Sequence, residues 1–172
     1  MQLSTFIMIL VSLFTLELIP VIHEAVILPF TGFIAYLSAT IASLFDSTVQ
    51  ADGIVMRSLA NGTAVKIMPG CNGVEAMICL AAAIIAFSAP LKHKIVGLIT
   101  GFFAIQALNI VRIISLFYLL QWNKDWFEWA HLYIWQALII LDALIIFILW
   151  VRWLPSDDND NDNEIPRKYQ AG

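Results

Sequence analysis

The 172-residue chain is 60% hydrophobic and 13% charged, with a mean hydropathy of +0.84, a balance that excludes an ordinary soluble domain. Most of its net charge of -4 lies after Pro155, so the apolar part is nearly neutral and nothing in it suggests nucleic-acid binding. The chain is too short for two domains of usual size, and its apolar residues fall into blocks of membrane-spanning length. The expected fold is therefore all-α, a polytopic transmembrane helical bundle of about five spans, with membrane lipids as its surroundings.

Met1 to Ile19 is apolar apart from Gln2, a few hydroxyls and Glu17. It lacks the basic start and small-residue cleavage site of a secretory signal, so it reads as a mature span. Pro20 to Glu24 breaks the run. Ala25 to Phe45 is a second apolar block whose Gly32 and other small residues suit close helix packing. From Asp46 to Met68 polar residues and turn signals take over, with Asn61-Gly62 between short β-prone runs. This pattern predicts a small extracytoplasmic hairpin before the third major span.

Val74 to Ala89 is that third span, and it leads into Pro90-Leu91-Lys92-His93-Lys94. Lysines in so short a connection place it in the cytoplasm, which puts Cys71 on the extracytoplasmic side. Ile95 to about Leu120 returns outward. Gln121 to Trp129 is expected as a short interfacial loop rich in aromatic residues. His131 to Trp150 runs back, and Arg152 marks a second basic, cytoplasmic end. Residues 1–154 thus form one membrane-embedded domain. Residues 155–172, with an acidic run and almost nothing to bury, are expected as a disordered cytoplasmic tail.

Within this topology the polar residues converge. Cys71, in Pro69-Gly70-Cys71-Asn72-Gly73-Val74-Glu75, stands at the seam between a polar loop and an apolar run. Arg112 lies about 26 Å above the inner end of its span at 1.5 Å per residue, and His131 opens the last span. All three fall near the outer boundary. Each span also offers one polar face: Cys71, Glu75 and Cys79; Gln106, Asn109 and Arg112; His131, Trp135, Leu138 and Asp142. Charged groups facing lipid are costly, so these faces should turn toward one another and enclose a site.

A thiol attacks a carbonyl as its thiolate, which a nearby imidazole and guanidinium favour. His131 could return a proton to a leaving amine, and Arg112 could hold a tetrahedral oxyanion. Asn72, Glu75, Asn109 and Glu128 are candidate supports, although helix capping explains Glu75 nearly as well. Arg112 alone could snorkel or pair with Glu75, and His131 alone could be an interfacial residue. On a continuous helix Cys71 and Cys79 would be about 12 Å apart, too far for a disulfide. Cys71, His131 and a carboxylate could in principle ligate zinc, but no compact ligand spacing supports a metal or other cofactor.

The stretches Pro-Gly-Cys-Asn-Gly-Val-Glu-Ala (69–76), Leu-Asn-Ile-Val-Arg-Ile-Ile-Ser-Leu-Phe-Tyr (108–118) and Trp-Phe-Glu-Trp-Ala-His (126–131) together resemble the exosortase/archaeosortase family, most closely its short exosortase H type, over about residues 17–154. The resemblance implies a multi-pass enzyme of the bacterial plasma (inner) membrane. Such an enzyme would recognise exported proteins bearing a C-terminal sorting signal, a short motif followed by a transmembrane helix and a basic end, and cleave beside that helix. It also implies Cys71 as nucleophile, Arg112 as transition-state stabiliser and His131 as acid/base, with the acceptor, amine or water, left open. The alternative from another class is a non-catalytic membrane partner or transporter subunit that uses the intramembrane polar stripe. That reading expects Asp142 and Glu75 to matter more than Cys71.

Overall fold

Prolines and glycines set most of the boundaries in the computed structural model, which describes residues 3–154. Helix α1 (Leu3–Leu18) stops where Ile19 turns extended, and Pro20 opens α2 (Pro20–Ser43) at the first helical position, where a missing N–H costs nothing. A π-turn at His23–Ile27 interrupts α2 without ending it. After β1 (Val49–Asp52), β2 (Val55–Ser58) and β3 (Ala64–Lys66) come α3 (Val74–Ala86), α4 (Leu91–Trp122) and α5 (Lys124–Trp153).

The protein is a helical membrane bundle with a small sheet. Helices α2, α4 and α5 are long and apolar enough to cross a membrane. At 1.5 Å per residue α1 and α3 span only about 24 and 20 Å, less than a hydrocarbon core of about 30 Å. Short α3 is nonetheless central, packing against α1, α4 and α5.

Two packed layers position the site. At one end Ile34, Ala35 and Ala39 of α2 and Ile113 and Phe117 of α4 meet Met56 of β2 and Ile67, the residue after β3. At the other, Leu80 and Ile84 of α3 pack with Ile105 of α4 and Trp150 of α5. Here small residues allow close approach, as membrane helix contacts require. A Cβ on Gly97 would come within 2.3 Å of Trp150 Nε1, and one on Gly101 within 2.4 Å of Leu80 Cδ2. Trp150 Nε1 also donates to His93 O at 2.9 Å, and Trp153 packs on the His93 ring, so the two basic ends lie together.

Several boundaries differ from the sequence reading. The polar segment folds as an antiparallel three-stranded meander, order β1-β2-β3, rather than a simple hairpin. Lys92, His93 and Lys94 belong to the first turn of α4, because Pro90 sits at its N-cap position. Residues 124–129 are helical rather than a loop. Asn123 caps them by accepting from the backbone N–H groups of Asp125 and Trp126, and the helix continues through a π-turn at Ala130–Ile134 into the last span. The expected tail, 155–172, lies outside the described residues.

Candidate active site

Three segments far apart in sequence bring their polar side chains to one point. The thiol is placed by a turn. Gly70 and Gly73 both take positive φ (85° and 78°), a region that L side chains rarely adopt. Between them Cys71 N–H donates to Met68 O (2.9 Å), and the Glu75 carboxylate accepts from Gly70 N–H. Glu75 therefore holds the turn that carries the thiol, bonding three residues ahead of the helix N-cap at Gly73 rather than capping the helix itself. Gly73 is also needed for space, since a Cβ there would lie 2.9 Å from Gln106 Nε2.

Asn72 joins this turn to two helices. Fully buried, it donates from Nδ2 to Thr31 Oγ1 on α2 (3.0 Å) and accepts at Oδ1 from Val74 N–H (3.1 Å), where α3 begins. Gln106 of α4 completes the attachment by donating to Asn72 O (3.4 Å), and it accepts in turn from Asn109 Nδ2 (3.4 Å). Asn109 thus acts through Gln106 rather than touching Cys71. Buried polar groups are costly unless hydrogen-bonded, so this chain fixes the Cys71 turn against α4.

Arg112 lies six residues, less than two turns, nearer the sheet than Gln106 and is 2% exposed. Its Nη1 donates to Gly70 O at 3.2 Å and its Nη2 reaches Cys71 Sγ at 3.7 Å. Its Nε is buried with no hydrogen-bond partner among the described residues, leaving a spare donor in the site. His131 Nε2 stands 4.0 Å from Sγ. The imidazole stacks on Phe127, one helical turn earlier, with 5.7 Å between centroids and 6° between planes. Thiol, guanidinium and imidazole therefore share one locus. Residues 71, 112 and 131 line a cavity of about 220 Å³ together with Ile113, Leu116 and Phe127.

Burial pushes the Cys71 thiol above its usual pKa. The Arg112 charge pulls it partly back, and the Glu75 charge works with burial. A thiol held in this balance can form a thiolate beside a permanent cation, with an imidazole in reach to move a proton.

Other sequence candidates lie elsewhere. Glu128 is exposed and pairs with Lys124 across one helical turn at 3.7 Å, away from the thiol. Cys79 is exposed on α3. Asp142 lines, with Asn109 and Arg112, a gap of about 10 Å³, about one water in size. Among the described residues no three His, Cys, Asp or Glu side chains are grouped to hold a metal. Thr31 and Phe127 were not singled out as site residues. The Phe127–His131 spacing of four is a helical signal, hidden because the segment reads as a loop. Thr31 offers no signal, since only the tertiary fold brings α2 to the turn.

Compared with known proteins, residues 1–151 match the model of the family described as transmembrane exosortase (EpsH). No curated protein and no solved structure matches the chain significantly.

Proposed function

The chain belongs to the transmembrane exosortase family, and from that premise we propose that it is a membrane cysteine protease or transpeptidase. Its substrates are exported proteins with a C-terminal sorting signal, cleaved beside the transmembrane helix of that signal. The observation that carries this reading is the thiol of Cys71 flanked by Arg112 Nη2 at 3.7 Å and His131 Nε2 at 4.0 Å. A cysteine that only filled space would not need both.

In this reading His131 takes the thiol proton, the Cys71 thiolate attacks the scissile carbonyl, and the oxyanion that forms is held by the Arg112 guanidinium. The C–N bond then breaks, and His131 gives its proton to the departing amine. The substrate remains joined to Cys71 as a thioester, which water or an amine resolves. Asn72, Glu75 and Asn109 support the geometry without touching the substrate. Glu128 is not needed.

The enzyme sits in a bacterial inner membrane with its site on the extracytoplasmic side. Support comes from the basic residues Lys92, Lys94 and Arg152, gathered at the opposite end of the bundle. The test is co-expression with an exported protein bearing such a C-terminal tail. Processing should disappear with Cys71→Ala while the variant still accumulates in the membrane. Unchanged processing by that variant would overturn the assignment.

A further inference from the structure

The strand that leads into the Cys71 turn has a free edge. Its register with β2 pairs Met56 with Val65, and the bonds Ser58 N–H to Thr63 O (2.8 Å) and Ile67 N–H to Ile54 O (2.9 Å) fall on either side of that pair. In an antiparallel ladder the hydrogen-bonded pairs alternate. Thr63, Val65 and Ile67 therefore face β2, whereas the N–H and C=O groups of Ala64 and Lys66 face away from it. The sheet order leaves β3 at the edge, and no hydrogen bond from the described residues reaches those outward groups.

This edge borders the cavity of the candidate site. Residues 65–69 all line it in unbroken succession. Val65 and Lys66 are consecutive in β3 and point to opposite faces, so they border one space together along the strand's edge, and Ile67, Met68 and Pro69 continue that border to the Cys71 turn. Phe127, His131, Arg112 and Cys71 line the same cavity. At the other end of the strand, Asn61 Nδ2 donates to Gln121 Oε1 at 2.8 Å, which ties the β2–β3 turn to the end of α4. The edge is thus held along α4 and pointed at the thiol.

We infer that β3 binds the substrate by strand addition: an extended segment flanking the scissile bond pairs its backbone with the outward N–H and C=O groups of Ala64 and Lys66. The inference rests on the peptide-cleaving reading above, which makes the occupant a polypeptide, and it adds how that polypeptide is held. Main-chain pairing supplies affinity independent of side chains, and the cavity wall selects every second residue. It also explains why an exposed strand edge, ordinarily a liability, is left uncovered beside the site.

Proline at Lys66 would remove the outward N–H and leave the ladder to β2 intact, which an edge strand tolerates. Lys66→Pro should lower processing of the co-expressed tailed protein at least tenfold. Lys66→Ala, which keeps the N–H, should lose far less processing than Lys66→Pro, and both variants should keep the alkylation rate of Cys71 with iodoacetamide. A complementary scan places single prolines through the substrate segment beside the cleavage site, with alanine controls. Processing should fail at alternate positions and survive at those between. Normal processing by Lys66→Pro, equal loss in Lys66→Ala, or a proline scan without alternation would overturn strand addition while leaving Cys71 chemistry standing. Should Lys66→Pro fail to accumulate, the substrate scan decides alone. Processing that survives Cys71→Ala would overturn the reading beneath it as well.

Discussion

Cys71 is pulled in two directions, and both can be read by titration. Burial raises its pKa, Arg112 lowers it and Glu75 raises it. The thiolate is the reactive form, so alkylation should accelerate as pH rises, with a midpoint above the ordinary cysteine value of about 8.5. Measured on a Cys79→Ala background, Arg112→Gln should move that midpoint further up, because it removes the one favourable charge. Glu75→Gln should move it down, because it removes the carboxylate charge yet keeps an acceptor for Gly70 N–H. A midpoint indifferent to Arg112→Gln would mean that the guanidinium does not act on the thiol. The residues in this balance were legible in the sequence, since a thiol, a guanidinium and an imidazole at one depth of neighbouring spans have few other ways to be satisfied. Their supports were less so. Glu128 looked suited to support the site, but its carboxylate turns to Lys124, one helical turn earlier. The stacking on Phe127 stayed hidden until residues 124–129 proved helical.

The helices meet where side chains are missing. Gly97 faces the indole of Trp150 and Gly101 faces Leu80, and neither leaves room for a methyl group. The Gly97→Ala methyl would press on a ring that is itself tied to His93 O. It should destabilise the protein by about 1–3 kcal/mol, the range for overpacking, read as a lower melting temperature in detergent. Combining it with Trp150→Leu should recover part of the loss. Hydropathy located the spans, because a run of apolar residues has few alternatives in lipid. Their ends were harder to place. Pro90 let α4 begin before the lysines, and Asn123 restarted a helix among aromatic residues that composition alone assigns to an interface. The meander was half visible. The Asn61-Gly62 turn and its flanking runs are plain, whereas β1 is four residues with Gln50 and Asp52 among them and gains its place by packing on α2.

At the scale of the molecule, α4 is the common axis. From Lys92 to Arg112 it rises about 30 Å, one hydrocarbon thickness, and it continues about 15 Å further to Trp122. The basic residues and the thiol site therefore lie about one hydrocarbon thickness apart along α4, and the sheet lies along the part of α4 beyond Arg112, anchored by Asn61 to Gln121. This arrangement suits a substrate whose helix is in lipid and whose preceding segment is extended in water. The bundle's apolar helices could be derived from hydropathy. The strand edge beside the thiol could not, because it depends on the register of three short strands. The central claim, that Cys71 forms a thioester with the exported substrate, is tested most directly by adding hydroxylamine during processing and examining the cleaved end by mass spectrometry. The account predicts a substrate hydroxamate at that end, formed by the intact enzyme and absent with Cys71→Ala. Cleavage that proceeds in the Cys71→Ala variant and yields only a free carboxylate would contradict it.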